Sequence, residues 1–233
     1  MSNDNPRVII TKNVMIPMRD GVRLATDIYR PAHVETGPVL LTRLAYSKEK
    51  EVFLWIPVER AIQAGYTVVV QDTRGRYASE GEFPRPFDQD EPDGADTIAW
   101  VAEQAWCDGK VGMFGLSAQG ITQWSAATQQ PSALQAIAPM FCPATLQHAQ
   151  YQGGAFKLGT WLWWAIGSGA TGEVERRLMQ GRATQQDLDT LIEAEENIGP
   201  WFKRTPLTDM PLLGCYAPYY FDWLTPPASA EEG

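Results

Sequence analysis

Near its start the chain alternates between apolar and polar positions. Val8-Ile9-Ile10 leads through Val14-Met15-Ile16 to Met18-Arg19-Asp20-Gly21, where Asp-Gly is a favoured hairpin dipeptide. From Arg23 to Tyr29 the alternation puts Leu24, Thr26 and Ile28 on one face, and Pro31 ends the strand. The pattern then changes to short apolar runs: Val39 to Thr42, Tyr66 to Val70, Val111 to Phe114, and Leu134 to Ala138. Such runs suit strands buried on both faces. Helix-spaced segments lie between them. Val52 to Ala64 reads as a helix interrupted at Pro57 and stopped by Gly65. Asp90 to Gln104 carries acids in its first turn, and Ala118 to Gln130 ends before Pro131. Strand and helix alternating in this way predict an α/β fold: a mainly parallel sheet, covered on both faces, behind an N-terminal β-hairpin.

After about residue 145 the alternation stops. Glycine-rich stretches, the group Trp161-Trp163-Trp164 and a charged segment from Glu173 to Glu196 follow, the last read as helical and exposed. The expected organisation is a sheet-bearing part over 1–145, a helical cap segment over 146–225 and a disordered tail over 226–233.

The motif that carries chemistry is Gly112-Met113-Phe114-Gly115-Leu116-Ser117-Ala118-Gln119-Gly120, set between a predicted strand and a predicted helix. That context is required for a nucleophile elbow of the α/β-hydrolase fold. The turn is so sharp that the serine takes a strained backbone conformation, and small residues around it let strand and helix approach. The Ser117 hydroxyl would stand at the C-terminal edge of the sheet, over a helix N-terminus whose N–H groups can hold an oxyanion. Alone, Gly-x-Ser-x-x-Gly is a weak string, equally readable as a strand-to-helix turn with a capping serine. Its place after three predicted parallel strands favours the nucleophile.

Several segments resemble the CocE/NonD serine hydrolases, which include esterases of the cocaine esterase type and X-Pro dipeptidyl-peptidases. These are Met18 to Ala25 with Asp27 and Tyr29-Arg30-Pro31, Asp72-Thr73-Arg74-Gly75 with Ser79 to Phe83, and Gln104 to Gly112. The elbow with its shifted glycine and the pattern of 153–164 add to them. The resemblance implies a hydrolase of esters or amides working through an acyl-enzyme on Ser117. It implies an oxyanion hole made by the Ala118 N–H and the Tyr46 hydroxyl. The family's tyrosine after the nucleophile is Ala118 here, which keeps the backbone donor and loses an aromatic wall. The family's Arg-x-Pro-Tyr is Arg43-Leu44-Ala45-Tyr46. Gln119, Trp161 and Trp164 are candidates for a substrate pocket, and the tryptophans suit a cap core equally well.

A serine needs a histidine base oriented by a carboxylate. In this fold the acid and histidine follow the serine. The chain has two histidines, His33 before Ser117 and His148 soon after it, both read as exposed or capping. Asp209 and Asp222 lie in segments without strand character. The expectation is therefore an incomplete sheet, ending before the triad acid, the histidine and a jelly-roll domain. A silent fragment is the alternative, and association with a missing C-terminal half or with a second copy is expected.

Composition narrows the partners. The 233 residues are 44% hydrophobic with net charge -9, which argues against nucleic acid and anionic membranes, while the small ester or amide partner is what the resemblance implies. The polar start, without a basic-then-apolar leader, predicts a cytoplasmic location, as do three scattered cysteines read as free thiols. No cofactor is expected. Asp88, Asp90, Glu91 and Asp93 read as helix N-terminal acids before a calcium cluster, and Arg74 reads as a loop-fixing partner of an aspartate before a substrate contact.

Overall fold

A computed structural model describes residues 7–50, 58–143 and 145–225. It divides into two compact units, Met1–Cys142 and Pro143–Gly233. The expected tail over 226–233 and the first half of the Val52 to Ala64 helix lie outside the described residues.

The first unit is built on one six-stranded sheet. Its strands are β1 (Val8–Pro17), β2 (Arg23–Pro31), β3 (Gly37–Leu44), β4 (Thr67–Asp72), β5 (Cys107–Leu116) and β6 (Leu134–Met140), in the order β1-β2-β4-β3-β5-β6. β1 and β2 form the antiparallel hairpin, with Pro17 opposite Arg23. β2 also runs antiparallel to β4, whereas β4, β3, β5 and β6 are mutually parallel. Between strands lie α1 (Val58–Gln63), α2 (Asp90–Ala102) and α3 (Ala118–Thr128).

β4 shows why the parallel strands read as apolar runs: every residue of Thr67–Asp72 is buried. Val69 points into a core with Leu41, Met113, Ile98 of α2 and Ala126 of α3. Val68 and Val70 point to the opposite face, with Leu44, Phe114 and Ala61 of α1. The sheet is thus covered on both sides.

Three differences from the sequence reading have physical causes. The gap between the two apolar parts of β1 is a register shift between Thr11 and Val14, where Asn13 takes φ 55°. β2 is buried on both faces, since Ala25 and Asp27 are as inaccessible as Leu24, Thr26 and Ile28. β5 begins at Cys107, because Gly109 accommodates φ 83° within the strand instead of turning the chain away. β6 is an edge strand among the described residues, with Gln135, Ala136, Ala138 and Met140 exposed and Phe141 beyond it 94% exposed.

The second unit is mainly helical: α4 (Leu146–Gln150), α5 (Leu158–Trp164), α6 (Thr171–Met179), α7 (Gln185–Glu196), α8 (Gly199–Phe202), α9 (Pro211–Tyr216) and α10 (Tyr219–Trp223). A wider π-helical stretch over Ala165–Ala170 joins α5 to α6. A two-stranded ribbon, β7 (Tyr151–Gln152) with β8 (Ala155–Phe156), was not legible in the sequence. The charged segment is two helices. Gly181 at φ 68° separates them, and Thr184 and Asp187 form a capping box that starts α7. They are not wholly exposed, for Val174, Leu191 and Ala194 are buried. Among the described residues no helix is long and apolar enough to cross a membrane.

Candidate active site

The end of β5 supplies the sharpest turn near the sheet. Leu116 closes the strand, Ala118 opens α3, and the single residue between them, Ser117, holds φ 58° and ψ -118°. A non-glycine residue pays for such a conformation in strain, and strain of this kind clusters at functional sites. Ser117 is exposed although both its helix-side neighbours, Ala118 and Gln119, are buried.

The neighbours show why the chain can turn there. A Cβ on Gly115 would stand 2.4 Å from the Cβ of Gln119, and one on Gly120 would stand 2.4 Å from the Sγ of Cys142. Only glycine lets strand, helix and the segment after β6 close to this distance. The Ser117 N–H donates to the Met140 carbonyl at the end of β6 (2.9 Å), and the Ser117 carbonyl accepts from Gly120 (2.8 Å) and Ile121 (3.1 Å). The side chain of Gln119, a candidate pocket residue, instead accepts the Leu116 N–H at 3.1 Å and is 2% exposed. Gln123, which sequence reasoning missed, accepts the Ala138 N–H at 2.9 Å and donates to the Gly115 carbonyl at 3.3 Å. As the first residue of α3, Ala118 presents an N–H that has no protein acceptor among the described residues.

Tyr46 lies two residues beyond β3, the strand beside β5 and parallel to it. The turns carrying Tyr46 and Ser117 therefore leave the same edge of the sheet from neighbouring strands, and Tyr46 is half-buried. Open α/β sheets bind ligands at this edge.

Within the first unit no histidine stands at that edge. His33 is exposed in the connection between β2 and β3. Because β2 is antiparallel to β4, with Tyr29 opposite Val68 and Thr26 opposite Gln71, that connection lies at the edge opposite Ser117. His148 belongs to the second unit, where it is exposed, with Nδ1 3.1 Å from the hydroxyl of the α4 cap Thr145. Asp209 is paired with Arg204 at 3.0 Å. Asp222 sits exposed in α10.

The remaining candidates have structural partners. Arg74 pairs with Asp93 (2.6 Å) and Asp20 (2.8 Å), which fits the loop-fixing reading. Asp90 holds the buried Arg43 at 2.9 Å, and among the described residues no acid cluster suits a metal. In the second unit Trp161 and Trp164 are buried, with the Trp161 ring 5.0 Å from that of Trp223 and the Trp164 ring 6.4 Å from that of Tyr219. The Trp161 indole N–H donates to the Ala149 carbonyl at 2.7 Å. These rings form the core of that unit, whereas Trp163 stands 45% exposed.

Residues 20–211 match the family model described as X-Pro dipeptidyl-peptidase (S15 family). The chain belongs to this family. It is 43% identical over 219 residues to cocaine esterase of Rhodococcus sp. (strain MB1 Bresler), covering 91% of this chain and 38% of that one. An aminopeptidase from a marine sediment Thaumarchaeota archaeon superposes with TM-score 0.61 at 27% identity, over 87% of this chain and 38% of that chain. A CocE/NonD family hydrolase from Staphylococcus aureus superposes with TM-score 0.62 at 23% identity, over 82% and 36%, and shares the fold. The S15 chain described here thus spans 38% of the length of its curated esterase relative. Its sheet is of the α/β-hydrolase type.

Proposed function

We propose that this S15-family chain supplies the nucleophile and the oxyanion hole of a serine acyl hydrolase acting on small esters or amides. The exposed Ser117 at φ 58°, between a buried strand and a helix N-terminus, carries the reading. Its Oγ attacks the substrate carbonyl as a base removes the proton, and the Ala118 N–H and Tyr46 O–H hold the tetrahedral oxyanion. Collapse expels the alcohol or amine and leaves an ester on Ser117, which water then cleaves by the same steps in reverse. The base in this reading is a histidine from outside these 233 residues, since His33 lies at the far edge of the sheet and His148 is an exposed residue of α4 whose ring faces the cap hydroxyl of Thr145. The outer edge of β6, without a partner strand among the described residues, and the exposed Phe141 support association with the segments that carry it. The esterase and peptidase relatives support the ester or amide class and leave the choice between them to the cap.

The same observations favour a second reading for these residues alone, in which they are nearly silent. The test is p-nitrophenyl acetate hydrolysis and fluorophosphonate labelling of the 233-residue chain and its Ser117→Ala variant. Without a base, turnover should stay near the ~10³–10⁴ over water left by an oxyanion hole and binding, in the parent and in Ser117→Ala alike. Rapid labelling would place a working base within these residues. Fluorophosphonate labelling that persists undiminished in Ser117→Ala would end the nucleophile assignment.

A further inference from the structure

The turn that carries Tyr46 is gripped from one side by a single segment, residues 72–76. Three of its residues contribute. The Thr73 N–H donates to the Leu44 carbonyl at 2.8 Å, the Arg76 Nε donates to the Ala45 carbonyl at 2.9 Å, and the Lys48 N–H donates to Asp72 Oδ1 at 2.8 Å. The contacts fall two before, one before and two after Tyr46. Asp72 and Arg76 are each 1% exposed, so water offers these groups no substitute partner.

The gripping segment is itself folded tightly. Arg76 N–H bonds the Thr73 carbonyl (3.1 Å) and Ser79 N–H bonds the Arg76 carbonyl (2.9 Å). The Ser79 hydroxyl donates to the Asp72 carbonyl at 2.7 Å and accepts the Ala25 N–H at 2.8 Å, tying the loop to β2. The Arg76 guanidinium lies over Phe83 (4.8 Å) and Tyr77 (5.4 Å), which fixes its plane. Beneath the turn, the buried Lys48 ammonium bonds Asn13 Oδ1 (2.7 Å) and stands 3.4 Å from Asp27 and 3.9 Å from Asp72.

We propose that Asp72 and Arg76 are positioning residues for Tyr46, holding the backbone before and after it in the chain so that the phenol is presented at the sheet edge beside Ser117. This rests on the oxyanion role of Tyr46 given above. It assigns a task to the Asp72-Thr73-Arg74-Gly75-Arg76 run that the nucleophile does not explain. Oxyanion donors act through preorganisation, and a placement error of about 1 Å is enough to lose much of their effect. The Lys48 N–H needs only an acceptor oxygen, so an asparagine at 72 should serve and an alanine should not.

The experiment places 3-fluorotyrosine at position 46 and follows its ¹⁹F resonance in otherwise unsubstituted, Asp72→Asn, Asp72→Ala and Arg76→Met chains. Methionine keeps contact with Phe83 and Tyr77 and removes the donor. One narrow resonance is expected in the unsubstituted and Asp72→Asn chains. Arg76→Met and Asp72→Ala should shift it towards free 3-fluorotyrosine or broaden it. Unchanged resonances in these two variants, with cooperative unfolding retained, overturn the proposal. Should either variant fail to fold, amide exchange in the unsubstituted chain decides: Lys48 N–H should be protected by at least ~10²-fold, and an unprotected amide overturns the clamp. Tyr46→Phe separates this proposal from the reading it rests on. If the fluorine responses hold while Tyr46→Phe leaves the residual ester turnover unchanged, the clamp stands and only the oxyanion role of Tyr46 falls.

Discussion

Two turns leave neighbouring parallel strands at the same sheet edge, and they are held by different physics. The turn after β5 is neutral. Glycines at 115 and 120 permit close approach, amides of Gln119 and Gln123 satisfy strand ends, and the strain is concentrated on Ser117. The turn after β3 is held by buried charge, with Asp72, Arg76 and Lys48 bonding or flanking its backbone. The first is specified by what is missing from its side chains and fails by crowding. The second is specified by partners far along the chain and fails by loss of an acceptor or a change of proton. A nucleophile needs only one fixed backbone geometry, whereas a side-chain hydroxyl needs its whole carrier loop fixed.

The largest effects should come from the neutral turn. Ser117→Gly and Ser117→Ala should both remove the hydroxyl that a fluorophosphonate labels, yet differ in stability. Glycine accepts φ 58° without strain, so Ser117→Gly should gain about 1 kcal/mol and raise the Tm by roughly 2–4 °C. A melting temperature equal to or below that of Ser117→Ala would argue that the conformation is unstrained. Crowding is tested at Gly120. Gly120→Ala pushes a Cβ against Cys142 Sγ and Cβ, and overpacking of this kind costs about 1–3 kcal/mol. Cys142→Gly in the same chain should recover part of that loss. Strictly additive denaturant midpoints in the double-mutant cycle would deny the contact.

The charged turn should answer to pH. Burial, with some help from the nearby Asp27 carboxylate, pushes Asp72 from 3.8 up to about 7, against the pull of the Lys48 and Ala78 N–H groups and the Lys48 ammonium. Between those values the folded chain keeps a proton that the unfolded chain releases. The Asp72 contribution is therefore fully present below pH 3.8 and is lost as pH rises through about 7. Asp72→Asn removes this dependence. The stability difference between parent and Asp72→Asn should drift against the parent as pH rises from 5 to 7, by up to about 1.4 kcal/mol per unit. Asp20, Asp96 and Asp187, whose carboxyls are held below their usual range by hydrogen bonds from Arg74, Arg19 and Thr184, act in the opposite sense at lower pH and cancel in the difference. Parallel stability curves for the two chains would place the Asp72 pKa outside this window.

The same contrast explains what was legible in the sequence. The elbow was readable because all its parts lie within nine consecutive residues, and an apolar run before them and helix spacing after them gave the context. Tyr46 came only through a family resemblance. Its supports are 24 and 31 residues from their partners, and one sequence carries no signal that pairs Lys48 with Asp72 or Ala45 with Arg76. Burial of Asp27 hid for the same reason: an aspartate in an alternating strand reads as a solvent-facing residue until Lys48 is seen beside it. Asp108-Gly109 has the composition of a turn but sits inside β5, held by pairing that starts with Gly37 opposite Cys107. Trp161 and Trp164 at helical spacing left core and pocket open, and the decision needed Tyr219 and Trp223 from the far end of that unit.

The smallest expected effect sharpens the comparison most. Ala45 stands where the resembled family has proline, immediately before Tyr46. It is buried, and its N–H has no acceptor among the described residues, while its carbonyl takes the Arg76 bond. Proline would remove that unpaired donor, keep the carbonyl, and restrict the unfolded chain. Leu44 before it is already extended, as a residue preceding proline prefers. Ala45→Pro should therefore stabilise by about 0.4–1 kcal/mol, provided the ring is accommodated at this buried position. If the charged clamp and a stiff backbone are two ways to fix one tyrosine, Ala45→Pro should also reduce the fluorine response at position 46 to Arg76→Met. An undiminished response would mean that the turn is held by its partners alone, and that backbone stiffness before Tyr46 does not substitute for the arginine.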